Sequence, residues 1–153
     1  MEQTMSDSIT TKIEFLEKIG TNEISHSGET LLEHLVGVFE ILKEMNALEY
    51  VQDAGLFHSI YGTATFHHQT MSDRQVVQDL IGEKAEHLAY LFCVLGRETD
   101  RRKTEIAVIE DRQIRGDLML MDFANNEEQR RRKELTWNEA YGSVSYDITS
   151  HGK

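Results

Sequence analysis

Apolar residues recur along most of this chain at intervals of three and four residues, the spacing that is typical of amphipathic helices. The clearest example spans residues 31–46, where one side carries Leu31, Leu35, Val38, Leu42 and Met45. His34 lies on that same side, three residues after Leu31 and four before Val38. The pattern therefore predicts a helix whose His34 side chain points into the core.

Further helices are predicted on either side of this one. The first spans about residues 8–19 and ends at Gly20, because glycine favours the left-handed backbone that terminates helices. The others span about residues 48–61, residues 73–95 with a break at Gly82, residues 104–114 and residues 117–134. His58 falls on the apolar face of its helix, so it is also predicted to be buried.

Only the end of the chain departs from the helical pattern. Residues 144–148 alternate like a short strand, and the glycines and polar residues around them indicate a loosely docked tail. No repeat, linker or change of composition divides the rest of the chain. We therefore predict an all-α fold, a helical bundle forming one domain over residues 1–153, with its core at about 8–134 and a short irregular tail at 135–153.

The charge of the chain restricts its partners. Sixteen Lys and Arg stand against 27 Asp and Glu, a formal net charge of −11. This balance argues against general nucleic-acid binding, which needs clustered cations for the phosphate backbone. Basic residues do cluster at 101–103 and 130–133, but the second run follows Glu127 and Glu128 at helical spacing. It therefore predicts a solvated helix end with internal salt bridges.

The remaining composition indicates a cytoplasmic protein with no membrane partner. No apolar run approaches the ~18 residues of a membrane span, and residues 1–4 do not resemble the start of a signal peptide. The single cysteine, Cys93, lies in an apolar run and is predicted to be a small buried side chain rather than a reactive thiol.

Four stretches follow the order of parts in the HD-domain superfamily. They are Ser-Gly-Glu at 27–29 with His34, Ala-Gly-Leu-Phe-His at 54–58, Ile-Gly-Glu at 81–83 and Met-Asp-Phe-Ala-Asn at 121–125. These stretches resemble the hydrolase domain of RelA/SpoT-type guanosine polyphosphate enzymes. The longer phrase Ala-Gly-Leu-Phe-His-Ser-Ile-Tyr-Gly-Thr at 54–63 resembles HD-like proteins of the DUF6817 type. The resemblance implies an HD-like helical fold with a pocket between its helices.

The chain departs from the HD pattern where that pattern holds its metal. Ser59 stands at the position of a ligand Asp, Gly62 and Thr63 at a catalytic Glu-Asp, and Asn125 at the late ligand Asp. Each replacement removes a negative charge, and hydroxyl and amide oxygens are poor substitutes for carboxylates around a hard cation. We therefore do not transfer guanosine polyphosphate hydrolysis, and we expect weak metal binding or none.

The candidate site residues follow from the same resemblance. His34 and His58 are the candidates for acid, base or ligand roles, since a histidine pKa lies near neutrality. The candidates for ligand binding are Ser59, Tyr61, Arg74 and Asn125. If a divalent metal binds, its ligands would be His34, His58 and Asp122, with Glu86, His87 or the pair His67 and His68 as further candidates. Otherwise both histidines are core residues hydrogen-bonded to neighbours, and His26 and His151 are surface residues.

Three functions fit these residues. The leading hypothesis is a small-molecule pocket protein that binds a nucleotide-like or other anionic metabolite at a degenerate metal site. The alternative is a hydrolase or other small-molecule enzyme that uses His34 and His58 as metal ligands or as acid and base. The third is a structural partner protein that presents the final helix and the tail around Trp137. The sequence leaves the reaction, the cofactor and the oligomeric state open.

Overall fold

The structure, a computed structural model, describes the backbone of residues 3–26, 28–61, 71–95 and 99–141 and the side chains of residues 9–26, 28–61, 74–95 and 100–135. Within these ranges the fold is mainly helical, which confirms the predicted fold class. The helices are α1 (Gln3–Lys18), α2 (Leu31–Glu44), α3 (Glu49–Leu56), α4 (Met71–Ile81), α5 (Glu83–Val94), α6 (Thr99–Ala107) and α7 (Arg112–Tyr141). A 3₁₀ turn (Thr21–Glu23) and a hairpin of β1 (Ser25–His26) and β2 (Glu29–Thr30) separate α1 from α2.

Helix α2 starts at a well-formed cap. The Thr30 hydroxyl accepts a hydrogen bond from the Glu33 amide at 3.1 Å, and the Glu33 carboxylate accepts one from the Thr30 amide at 2.8 Å. This reciprocal pair satisfies backbone donors that a helix start leaves open. The predicted apolar face of α2 is buried, and α2 packs most extensively against α3 and α7.

Helices α2 and α3 lie close together at Gly55. A Cβ atom at this position would lie 2.3 Å from Leu42 Cδ1 and 3.2 Å from Val38 Cγ1. Glycine therefore allows the two helices to pack at a distance that any larger residue would increase. The predicted helix ends at glycines are also present, since Gly20 and Gly82 have φ angles of 91° and 94°.

Two buried ion pairs join further helices to this core. Lys12 Nζ of α1 lies 2.9 Å from Asp53 Oδ1 of α3. Arg102 Nε of α6 lies 2.5 Å from Asp122 Oδ1 of α7. Because each pair links two elements that are separate in sequence, the charges help to fix how α1 and α6 dock.

Several predicted boundaries are wrong. Helix α3 ends at Leu56 rather than Tyr61, because the Gly55 carbonyl accepts a hydrogen bond from the His58 imidazole instead of continuing the helix. Helix α7 begins before residue 117 because the Asp111 carboxylate accepts from the Ile114 amide at 3.0 Å, which starts the helix there. The helix predicted at residues 104–114 corresponds to α6, which ends at Ala107. Helix α7 also continues past residue 134, where the tail was predicted to begin, to Tyr141.

Some predictions concern residues outside the described part of the chain. These are the strand at 144–148, Ser27, Gly62, Thr63, His67, His68, His151 and the Trp137 side chain. Cys93 is half-buried against the core rather than fully buried. None of the helices in the described ranges combines the length and the apolar character that crossing a membrane requires.

Candidate functional site

The side chains of His34, His58 and Asn125 meet in the core. His34 comes from α2, His58 from the turn after α3 and Asn125 from α7, and all three are buried. Asn125 Oδ1 lies 2.9 Å from His34 Nε2 and 3.1 Å from His58 Nε2. The structure therefore brings together three candidates that lie on separate stretches of the sequence. Among the described residues they contact one another directly instead of lining an open cavity.

The second ring nitrogen of His58 fixes where its proton lies. His58 Nδ1 is 2.7 Å from the Gly55 carbonyl oxygen. A carbonyl only accepts hydrogen bonds, so Nδ1 carries the proton. Burial, with a smaller effect from the neighbouring His34, lowers the pKa of His58 to about 3. The ring is therefore neutral at pH 7, and its Nε2 is a bare lone pair directed at Asn125.

His34 has the same arrangement with a carboxylate in place of the carbonyl. His34 Nδ1 lies 2.5 Å from Glu128 Oε1. Burial raises the pKa of Glu128, but the hydrogen bond from His34 and the charges of His34 and Arg132 outweigh it, so the net shift is downward. Glu128 is thus an ionised acceptor. When the His34 ring carries a single proton, that proton lies on Nδ1. The His34 Nε2 is then bare, like that of His58, and is directed at the same Asn125 amide.

These two lone pairs restrict what can lie between the rings. If Asn125 presents its oxygen, three acceptor atoms converge, and either a metal ion or an added proton on a ring Nε2 is needed to hold them together. If Asn125 presents its NH₂ group, it can donate one hydrogen to each ring and satisfy both without any ion. The geometry therefore supports either a metal centre or a closed hydrogen-bond network.

A second group of charges surrounds the opposite side of His34. Ligand atoms of Glu29, His34 and Glu128 all lie within 4.8 Å of one another, and all three residues are buried. Arg132 Nε lies 3.0 Å from Glu29 Oε1, an ion-pair distance without hydrogen-bond alignment. Burial and the neighbouring Glu128 carboxylate raise the pKa of Glu29 to about 7. Because Arg132 already supplies a positive charge here, a metal ion is better placed on the Nε2 side.

Two predictions about this region are wrong. Glu128 was expected on a solvated helix end. Its neighbour Glu127 does pair with Arg130 and Arg131 at the surface, but Glu128 is only 6 % exposed. His26 was expected at the surface, yet its ring centroid lies 4.2 Å from that of His34 and it is half-buried. Strand pairing of His26 with Glu29 places both side chains on the same face, toward α2.

The other candidate residues lie in separate groups. Asp122 pairs with Arg102 on α6. Tyr61 donates to Glu86 at 2.6 Å, and Arg74 donates two hydrogen bonds to the same carboxylate at 2.7 and 3.0 Å. Ser59 is half-buried in the turn that follows His58. Among the described candidates, the structure therefore brings Asn125 to the histidines and gathers Tyr61 and Arg74 around Glu86.

An open cleft of about 560 Å³ lies beside the Glu86 group. Its walls are formed by Arg74, Gln78, Glu83, Lys84, Glu86 and His87. The Arg74 guanidinium also stacks on the Tyr90 ring at 3.7 Å from its centroid. Arg74 is thus held on one side by a carboxylate and on another by an aromatic ring, which leaves less of its charge for an anionic ligand.

Sequence reasoning missed Glu29 and Glu128 as members of the site. Glu128 follows Asn125 by three residues, so the two share a helix face, and this spacing was the available signal. The adjacent basic run concealed it, since an acid followed by arginines is usually solvated. Glu29 belongs to the Ser-Gly-Glu stretch already noted, but only the hairpin shows that its carboxylate turns inward.

Comparison with known proteins gives one finding. The family model for a domain of unknown function, DUF6817, matches residues 15–97, more than half of the 153-residue chain. No curated protein and no solved structure matches the chain. The match contains both histidines and Glu29, while Asn125, Glu128 and Arg132 lie beyond it on α7. On this match the chain belongs to the DUF6817 family.

Proposed function

We propose that this protein is an HD-like metalloprotein that hydrolyses a small anionic molecule at a divalent metal held by His34 Nε2, His58 Nε2 and Asn125 Oδ1. The observation that carries the proposal is the occupation of both Nδ1 atoms by hydrogen-bond acceptors, Glu128 and the Gly55 carbonyl. Metal-binding histidines usually donate their other ring nitrogen to a carboxylate or a backbone carbonyl in this way.

The separations of the Asn125 oxygen from the two ring nitrogens are compatible with a divalent ion. Two ligand atoms that each lie about 2.1 Å from an ion, at right angles to each other, are ~3.0 Å apart. The separations of Asn125 Oδ1 from the two Nε2 atoms are 2.9 and 3.1 Å. Three protein ligands also leave coordination positions for water and substrate, as catalytic sites require.

Glu128 partly offsets the charge of a metal ion at this site. The carboxylates that the sequence offered as metal ligands, Asp122 and Glu86, pair instead with Arg102 and with Tyr61 and Arg74, so they leave the double charge of the ion uncompensated. Glu128 adds one negative charge directly behind the His34 ring. Imidazole-rich sites favour Zn²⁺, Fe²⁺, Co²⁺ or Ni²⁺ over Mg²⁺ and Ca²⁺. We therefore propose a metal of the first kind, which would lower the pKa of a bound water and supply a nucleophile.

The order of parts supports an HD-like assignment. The first histidine lies on an early helix, the second at the end of the next one, and the amide on a late helix, as in the superfamily pattern. The changed positions Ser59 and Asn125 still distinguish this chain from the guanosine polyphosphate hydrolases. We accordingly propose the class of reaction, hydrolysis of a small anionic molecule, and no particular substrate.

The competing function is the metal-free small-molecule pocket protein. It is favoured by one specific observation, that an Asn125 NH₂ group can donate to both Nε2 atoms and close the network. In that case the histidines are structural, and the ligand must bind elsewhere, for instance in the cleft beside Glu86.

Metal titration separates the two functions. Protein purified without chelator is analysed for metal content and then titrated calorimetrically with Zn²⁺, Fe²⁺ and Mg²⁺. We expect one equivalent of Zn²⁺ or Fe²⁺, a loss of at least tenfold in affinity for His58→Gln, and a gain for Asn125→Asp, which restores a carboxylate. His87→Gln is the matched control, because His87 is exposed.

Two results would overturn the metalloprotein proposal. One is a wild-type protein that holds no metal while Asn125→Asp does, which would establish the closed network. The other is a bound metal whose affinity is the same in His58→Gln and His87→Gln, since the ion would then lie elsewhere.

A further inference from the structure

Both nitrogen atoms of the His34 ring are held by a single turn of helix α7. Asn125 contacts Nε2 at 2.9 Å, and Glu128, three residues later, contacts Nδ1 at 2.5 Å. Residues three apart lie on the same helix face, so the ring fits between two side chains of one helix. The orientation of His34 is thereby set by α7 rather than by its own helix.

A glycine on α2 makes room for this contact. Gly37 lies one turn after His34, and a Cβ atom there would be 2.6 Å from Glu128 Cγ and 3.1 Å from Glu128 Oε2. Such distances are shorter than ordinary contacts of 3.5 Å or more between carbon atoms. The Glu128 side chain therefore crosses α2 directly against the backbone of Gly37, and a larger residue would push the carboxylate away from His34.

The far side of Glu128 is held as well. Arg132, one turn further along α7, approaches Glu29 Oε1 to 3.0 Å, and Glu29 Oε2 lies 3.9 Å from His34 Nδ1. A carboxylate oxygen of Glu29 also lies within 4.8 Å of the Glu128 carboxylate. The Glu128 carboxylate is thus fixed between the glycine, the ring and a second carboxyl group, with little freedom to leave Nδ1.

We propose that Glu128 is a positioning residue, which holds His34 as the Nδ1–H tautomer and thereby aims the bare Nε2 at the metal. The part that concerns the metal rests on the proposed function, whereas the part that concerns the His34 tautomer does not. A carboxylate hydrogen-bonded to a ligand histidine orients the ring and raises its basicity, and its loss typically weakens metal affinity 10- to 100-fold. Because Glu128 lies outside residues 15–97, the matched family segment alone does not supply this contact.

The tautomer is tested first, on metal-free wild-type protein. Long-range ¹H–¹⁵N correlation spectra distinguish a protonated from a bare ring nitrogen, and His34 is assigned by comparison with His34→Gln. We expect a proton on Nδ1 and none on Nε2. A proton on Nε2 would overturn the inference, because that nitrogen would then not be bare, whether Nδ1 also carries a proton or accepts one from Glu128. This measurement requires no variant at position 128 and does not depend on whether a metal binds.

The second test measures Zn²⁺ affinity in three variants. Glu128→Gln removes the charge at nearly constant shape, Gly37→Ala displaces the carboxylate without changing it, and Glu134→Gln is the control at an exposed position of the same helix. We expect a 10- to 100-fold loss for the first two and no change for the control. Thermal unfolding of each variant is measured alongside.

The outcomes of the two tests separate the inference from the proposed function. Affinity equal to the control in a folded Glu128→Gln protein would refute the positioning role. A wild-type protein with the Nδ1–H tautomer but no metal would refute the metalloprotein proposal and leave the positioning of His34 by Glu128 supported. If Glu128→Gln only destabilises the fold, its unfolding temperature falls and the His34 tautomer stays the same. A changed His34 tautomer in Glu128→Gln therefore supports the positioning role.

Discussion

Replacing Gly55 with alanine tests the close approach of helices α2 and α3. The added Cβ would lie 2.3 Å from Leu42 Cδ1, which is more than an ångström inside the ordinary carbon–carbon distance of about 3.5–4.0 Å. Leu42 is fully buried, so its side chain has no solvent to move into. Helices α2 and α3 must therefore separate, or the leucine must leave its rotamer.

The expected cost is the difference between two effects. Forcing a methyl group into a packed core costs roughly 1–3 kcal/mol, and the short distance places this site near the upper end. Alanine gains at most about 1 kcal/mol over glycine in a helix. We therefore expect Gly55→Ala to lower the free energy of unfolding by about 2 kcal/mol, which corresponds to roughly 4–8 °C in midpoint temperature for a chain of this size.

Gly116→Ala provides the matched control. Gly116 also lies in a helix, but no atom beyond its own helix backbone is found within 4 Å of its would-be Cβ. Only the helix preference then acts, and we expect a gain of about 0.5–1 kcal/mol. Urea unfolding of both variants, followed by circular dichroism, measures the difference. If Gly55→Ala is as stable as Gly116→Ala, the reasoning about the contact of α2 with α3 is wrong.

Two further predictions concern pH and a buried carboxylate. The pKa of His58 is lowered to about 3 from 6.5, so the fold loses stability as pH falls below 6.5. The pKa of Glu29 is raised to about 7 from 4.5, so the fold loses stability as pH rises from 4.5 to 7. Between pH 7.5 and 5 each contributes about 2 kcal/mol with opposite sign. Relative to chelator-treated wild type, Glu29→Gln should therefore lose stability in acid and His58→Gln should gain it. Urea unfolding at both pH values checks this, and parallel curves for all three proteins would contradict it. Glu86→Gln should lower the free energy of unfolding by about 2 kcal/mol, because it weakens the buried acceptor shared by Tyr61 and Arg74. Glu83→Gln, at an exposed position, should change it by less than about 0.5 kcal/mol. Equal thermal midpoints for the two variants would refute the role of Glu86.

The sequence predicted the elements that local periodicity controls. The buried face of α2, the inward positions of His34 and His58 and the break at Gly82 all follow from apolar spacing and glycine, and all are present. The start of α7 was not predicted, because it depends on one hydrogen bond from Asp111 rather than on a repeating pattern.

The site was predictable only in part for a similar reason. Family resemblance located His34, His58 and Asn125, but the role of Glu128 depends on how α7 packs across Gly37, a contact between residues 91 positions apart in sequence. Charge patterns along a helix do not reveal such a contact, because a buried acid and a solvated acid have the same local spacing. Glu29 was missed because the hairpin that turns it inward is only two residues long in each strand.

The position of α7 in the chain also determines when the site can form. His34 and Glu128 are separated by 94 residues, so a large loop must close before the carboxylate reaches the ring. During synthesis both histidines leave the ribosome well before Asn125 and Glu128, and an early metal ion would meet two imidazoles without the residues that orient them. Docking of α7 is therefore the step that would create metal affinity, and a bound metal would in turn stabilise the docked helix against local unfolding.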